Sequence, residues 1–162
     1  GNLMDEESCR LFHETGSYLV PTLSTYAALA EEGVEAGMPK DIQIKVYEVL
    51  DAGRNALELA YRRKVPMVYG SDLLGSMHRH QLNEINIRRE VVPADDLIRA
   101  ATCNAADAFG RTGEFGEIVP GARADLLVSA ADPLEDVGVL TRPEENLLAI
   151  VKEGRFYKNR LD

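Results

Sequence analysis

Val65-Pro66-Met67-Val68-Tyr69-Gly70-Ser71-Asp72 is the stretch on which the fold turns. A short β-prone run that ends in Gly and then Asp places a carboxylate at the C-terminal mouth of a strand. In (β/α) barrels, catalytic groups sit at that end. The residues before it, Asp41 to Lys64, follow a helical period. Val46, Val49, Leu50, Gly53, Leu57 and Ala60 share one face, while Lys45, Glu48, Asp51, Arg54 and Glu58 lie elsewhere. Arg62, Arg63 and Lys64 suit the negative end of that helix. A helix feeding such a strand predicts a barrel segment and not a helical bundle.

Upstream, Asp5 is a good N-cap, Glu6 and Glu7 suit the positive helix end, and Gly16 closes the helix as its C′ residue. Ser17-Tyr18-Leu19-Val20 reads as a buried strand closed by Pro21. Thr22 to Lys40 reads as a loop with short helical pieces, punctuated by Gly33, Gly37 and Pro39. A long loop at this end of a barrel strand shapes a substrate pocket.

Downstream, Pro93 at a helix N1 position, followed by Asp95 and Asp96, opens a helix to about Ala101. Thr102 caps a second short helix that stops at Gly110. The texture then changes to short β-prone pieces, Asp125–Ser129 among them. Leu148–Lys152 and Arg155–Tyr157 flank Glu153-Gly154, a two-residue hairpin turn. The boundary between the two textures lies near Gly110 to Gly113.

A chain of 162 residues can bury a core of its own. Its net charge of −9 argues against nucleic-acid and anionic membrane surfaces as partners. No apolar run approaches the roughly twenty residues that span a bilayer. Nothing at the start reads as a signal peptide. Cys9 and Cys103 are far apart and outside any metal-type pair, which predicts reduced thiols and a cytoplasmic setting. There is no internal repeat and no low-complexity tract.

Gly70-Ser71-Asp72, Ala101-Thr102-Cys103-Asn104-Ala105-Ala106, Gly116-Glu117-Ile118-Val119-Pro120-Gly121-Ala122-Arg123-Ala124-Asp125-Leu126 and Asp132-Pro133-Leu134, in this order, resemble the closing segment of the metal-dependent amidohydrolase superfamily. Val20-Pro21-Thr22-Leu23 together with Ser71-Asp72-Leu73-Leu74-Gly75 resemble its prolidase-like subgroup, with the imidazolonepropionase-like enzymes close by. The resemblance implies an α/β fold: the last two strands and helices of a (β/α)₈ TIM-type barrel over residues 1–112, then part of a small β-sandwich appendage over 113–162. It also implies that Gly1 follows a metal-binding His of the sixth strand that this chain does not contain.

On that resemblance Asp72 is both metal ligand and catalytic proton shuttle. Thr22, Tyr26 and His78 are candidate substrate contacts, with turn capping and packing the alternative for the first two. His78-Arg79-His80 imitates the His-x-His pair of the family but lies after the wrong strand, so a solvent-facing pair at a helix start is expected. His13 belongs to a surface or core edge, and Asp125 to a structural turn. The His-x-His pair, the bridging carboxylate (a carboxylated Lys in the prolidase-like subgroup) and two further His have no counterpart at matching positions.

The whole enzyme is therefore expected to hydrolyse a C–N bond of dipeptides or N-acyl amino acids with divalent metal, zinc in a binuclear site, as a homo-oligomer, while this chain alone is inactive. The rival reading is a non-catalytic module that keeps the fold remnant without the chemistry. A third, a small-molecule-binding α/β domain, finds no phosphate-cradling Gly loop in its support.

Overall fold

The computed structural model describes residues 2–161, which fall into two compact units that part between Val91 and Val92. Gly1, on which the expectation of a preceding His rests, lies outside the described residues. The first unit holds α1 (Glu6–Thr15), α2 (Leu23–Glu32), α3 (Lys40–Arg62), a 3₁₀ turn (Gly75–His80) and α4 (Asn83–Arg88).

Helix α1 forms as its caps dictate. The Asp5 carboxylate accepts from the Ser8 amide at 2.8 Å, and Gly16 closes the helix in the left-handed conformation at φ 63°. At the far end of α3 the chain turns through Lys64 at φ 55°, and the Val65 amide donates back to the Ala60 carbonyl at 3.0 Å. His13 meets the Arg63 carbonyl at 2.8 Å and Glu6 pairs with Arg63 at 2.7 Å, so α1 sits against the end of α3.

The two expected strands are present as one rung of parallel pairing between Leu19 and Met67 and not as a ladder. The Leu19 amide donates to the Pro66 carbonyl at 2.8 Å, and the Val68 amide donates to Leu19 at 3.0 Å. The donors that would extend a parallel ladder on either side are the amides of residues 66 and 21. Both are prolines, so neither neighbouring rung can form.

Thr22 to Lys40 is not the loop expected. It contains the ten-residue helix α2, packed on α3. Thr22 makes no side-chain cap bond. The carboxylate of Glu84, sixty residues away in sequence, accepts from the Ser24 amide at 2.7 Å. That tertiary cap satisfies an orphan donor at the helix start, which no local pattern announces. Gly53 on α3 has a packing reason: a Cβ there would stand 2.5 Å from Leu23 Cδ2. Gln43 Nε2 and Tyr47 Oη both donate to the Ala30 carbonyl, at 2.7 and 3.1 Å, and hold the other end of α2 to α3. The buried face of α3 also includes Ala56, whereas Val49 is only half-buried.

Glu84 and Arg88, one turn apart on α4, are both fully buried. Their closest approach is 4.0 Å, so the pair is not a tight one. Each finds other partners. Glu84 takes the amides at the start of α2. Arg88 donates to the Val68 carbonyl at 3.2 Å, the acceptor left open by the missing amide of Pro21, and lies 6.0 Å from the centre of the Tyr69 ring. Burial pushes the Glu84 carboxyl up and the Arg88 guanidinium down from their ordinary values. The neighbouring Tyr69 hydroxyl is pushed up to about 12 by the same burial and by the Glu84 charge.

Glu32 near the C-terminus of α2 accepts from His80 at 2.6 Å and also pairs with Arg79, tying the 3₁₀ turn to that helix. His80 is thus half-buried and engaged, in contrast to the solvent-facing pair expected; His78 is exposed.

The second unit holds α5 (Ala94–Ala101), α6 (Cys103–Ala108), β1 (Leu126–Ser129), a 3₁₀ turn (Val137–Thr141), α7 (Pro143–Asn146), β2 (Leu147–Lys152) and β3 (Arg155–Asn159). Pro93 occupies the N-cap of α5 and not N1, with an extended ψ of 157°. Thr102 caps nothing with its side chain; its hydroxyl donates back to the Ile98 carbonyl at 2.7 Å. Gly116 sits at φ 83° with the site of a Cβ only 2.7 Å from the Thr102 carbonyl, so only glycine fits there.

The strands form an antiparallel sheet in the order β1-β2-β3. Glu153 and Gly154 both take positive φ, 50° and 75°, as a type I′ hairpin turn requires. Asp125 holds that turn by accepting from the Glu153 amide at 2.7 Å, the structural role its place in the sequence implies.

Two outcomes follow from this packing. Arg88→Met, which leaves the Glu84 carboxyl buried without its counter-charge, should cost about 3–5 kcal/mol in urea unfolding, and Glu84→Gln added to it should recover part of the loss. The Glu32 carboxyl is held below its ordinary range, first by the His80 hydrogen bond. A depressed folded value contributes stability that is present above the unfolded value, about 4.3, and lost as pH falls through the lower folded one. Protection of the amides in residues 75–80, relative to their intrinsic exchange at the same pH, should therefore fall as pH drops below the ordinary carboxylate value of about 4.3, and Glu32→Gln should already show that lower protection at neutral pH.

Candidate active site

The site is built around the extended segment that ends at Gly70. A Cβ on Gly70 would lie 2.5 Å from Val20 Cγ1 and 3.9 Å from Thr22 Cγ2, so this glycine lets the two segments close on each other. Leu73, buried to 4 % exposure, anchors the chain on the far side of Asp72. Between these fixed points Asp72 is exposed and takes φ 52°. The left-handed region costs a non-glycine residue roughly 1–2 kcal/mol, with Asp and Asn the most tolerant.

A hydroxyl from α2 holds that conformation. Thr25 Oγ1 lies 2.6 Å from the carbonyl oxygen of Ser71 and 2.6 Å from that of Asp72 itself. The Ser24 hydroxyl donates to the Ser71 carbonyl at 3.3 Å, a longer contact. Thr25 stands in the first turn of α2, the turn that Glu84 caps.

Thr22 is half-buried beside Gly70, with a hydroxyl that capping does not use. Tyr26 is half-buried on α2, next to Thr25. The structure therefore brings Thr22 to the Asp72 segment and sets Tyr26 on the helix that grips it. His78 lies exposed in the 3₁₀ turn that follows, and among the described residues it has no hydrogen bond or ion pair with Asp72.

Thr25, Ser24, Glu32, Glu84 and Arg88 are the residues of this region that sequence reasoning passed over. A signal existed for two of them. Glu84 and Arg88 stand four apart on a short helix that also carries the apolar Ile85 and Ile87, a spacing that pairs charges on one face.

Among the described residues, no three His, Cys, Asp or Glu side chains gather as a metal would require. Catalytic zinc is generally held by three protein ligands with one position open. Asp72 offers one carboxylate, and His80 is occupied by Glu32. The described residues therefore do not by themselves make up a metal site.

The Amidohydrolase family profile matches residues 2–155. A prolidase crystallised with N-methylphosphonate-L-proline superposes with a TM-score of 0.91 at 43 % identity, covering 98 % of this chain and 39 % of that one. A Xaa-Pro dipeptidase with methionine bound in its active site gives 0.85 at 28 % identity, with the same coverage of both. Over 42 residues the chain is 55 % identical to the imidazolonepropionase of Chloroflexus aggregans, 26 % of this chain and 10 % of that protein. The chain thus spans 39 % of the solved relatives' length. With a match that runs over nearly all of its residues, this chain belongs to the amidohydrolase family.

Proposed function

We propose that this chain is the C-terminal portion of a metal-dependent hydrolase that cleaves a carbon–nitrogen bond, and that Asp72 is its reacting carboxylate. The observation that carries the reading is the place of Asp72. It is exposed, in a left-handed turn directly after the segment that pairs in parallel with Leu19. A parallel rung with helices between its two members is a β-α-β crossover, the repeating unit of a barrel.

On this reading residues 1–112 supply the last two strands and helices of a (β/α)₈ barrel, and residues 113–162 supply part of a β-sandwich appendage. The metal, zinc in a binuclear arrangement, belongs to the whole protein, with Asp72 giving one oxygen and the remaining ligands coming from outside this chain. The substrate is a dipeptide or an N-acyl amino acid, which the prolidase and Xaa-Pro dipeptidase relatives support. Thr22, Tyr26 and His78 offer donors to the carboxylate or amide of that substrate. The whole protein is a homo-oligomer of a reducing, cytoplasmic compartment, in keeping with the free thiols of Cys9 and Cys103.

In the chemical step an Asp72 carboxylate oxygen takes a proton from the attacking water and delivers it to the departing amine nitrogen. Asn keeps the size of the side chain but can neither take nor give that proton. Asp72→Asn in the whole protein should therefore lower kcat by about 10²–10⁴, the range of a general acid–base contribution, with KM little changed. Activity within a few-fold of wild type removes Asp72 from the role.

The chain on its own should be silent. Purified residues 1–162 should hydrolyse neither Xaa-Pro dipeptides nor N-acyl amino acids, and calorimetry should show zinc binding no tighter than that of a generic acidic surface. Stoichiometric, tight binding abolished by His78→Ala or His80→Ala would instead mark a working His-x-His site.

A further inference from the structure

Asp72 is held by one side chain that touches it on both sides of its α-carbon. The carbonyl of Ser71 belongs to the peptide before that carbon and the carbonyl of Asp72 to the peptide after it. Thr25 Oγ1 is 2.6 Å from each. The one proton of that hydroxyl is divided between two consecutive carbonyls, which restrains both peptides flanking the α-carbon and with them the direction in which the Asp72 side chain leaves the backbone. The conformation so fixed, φ 52°, costs a non-glycine residue roughly 1–2 kcal/mol, which the surrounding contacts have to meet.

Thr25 in turn has little freedom. Its helix starts two residues earlier, and the amides of Leu23 and Ser24 at that start are taken by the fully buried Glu84. Arg88, one turn further along α4, donates to the Val68 carbonyl of the segment that leads into Gly70 and Asp72. A single short helix thus grips both the start of α2 and the segment that leads to Asp72. The distance between Thr25 and the Asp72 backbone is set by those two grips.

We propose that Thr25, braced through the Glu84 and Arg88 contacts of α4, is a positioning residue that aims the Asp72 carboxylate at the reacting centre. This rests on the reading of Asp72 as the reacting carboxylate. The Thr25 hydroxyl is directed at backbone carbonyls, so its effect belongs to the orientation of the reacting group and not to substrate affinity. Orientation errors of the order of an ångström cost rate by factors near a hundred while leaving binding intact.

The test compares Thr25→Val, Thr25→Ser and Asp72→Asn in the whole protein, assayed on a panel of Xaa-Pro dipeptides and N-acyl amino acids. Thr25→Val keeps the shape and removes the hydroxyl. It should lower kcat by about 10–100-fold with KM within about threefold, and Thr25→Ser should restore kcat to within about threefold of wild type. Thr25→Ala is the second hydroxyl-free variant, should valine be poorly accommodated.

Wild-type kcat in both hydroxyl-free variants beside a dead Asp72→Asn overturns the positioning role and leaves Asp72 in place. Full activity of Asp72→Asn overturns both readings. An equal loss in the Ser variant also overturns the proposal, since the hydroxyl is then not the operative group. The backbone angle gives a readout free of substrate: the amide-to-Hα coupling of residue 72 should move away from its left-handed value with Val or Ala at position 25 and keep it with Ser. An unchanged coupling in Val and Ala overturns the proposal.

Discussion

The buried carboxylate of Glu84 is the contact on which the first unit depends. It lies under the start of α2 and accepts amide donors that the helix cannot satisfy for itself. A carboxylate removed from water is costly unless its oxygens are occupied. Here the positive end of a helix and a guanidinium one turn away offset part of that cost: Oε2 takes the Ser24 amide, while Oε1 has no hydrogen-bond partner among the described residues. Because the cap comes from sixty residues away, it also works as a spacer. It fixes how far α2 stands from α4, and so where every side chain on the first turn of α2 can reach.

Arg88 completes the arrangement through a gap that proline leaves. A regular parallel pair would give the Val68 carbonyl an amide from residue 21, but Pro21 has none. The guanidinium of Arg88 takes the vacant acceptor. Pro66 removes the donor on the other side, so the two segments touch at one rung only. What would otherwise be held by a ladder is held by side chains. The polar groups in this core are therefore structural members, and Tyr69 beside them has its hydroxyl satisfied by the Gln81 carbonyl at 2.6 Å.

Much of the architecture was legible because its causes are local. Asp5, Gly16, Gly110 and Glu153-Gly154 act on their own backbone or within a turn, and a reading of neighbouring residues finds them. The period of α3 was legible for the same reason. Helix α2 was not, because its cap lies in α4 and its length is supported by Gln43 and Tyr47 reaching from α3. Nor was the one-rung pairing read correctly, although both prolines were in view: their effect depends on register, which only the paired segments reveal. At the candidate site the sequence pointed to Asp72 itself through the Gly-Ser-Asp pattern. It said nothing of Thr25, whose side chain acts on carbonyls 46 and 47 residues away.

The left-handed turn at Asp72 also bears on what the position tolerates. Glycine enters that region without steric penalty, so Asp72→Gly relaxes the backbone at the same moment that it deletes the carboxylate. The relief is about 1–2 kcal/mol, and the freedom that glycine brings to the unfolded chain takes back about 0.5–1 kcal/mol of it. The turn therefore carries its aspartate at a net cost to the fold that is smaller than its backbone angle suggests.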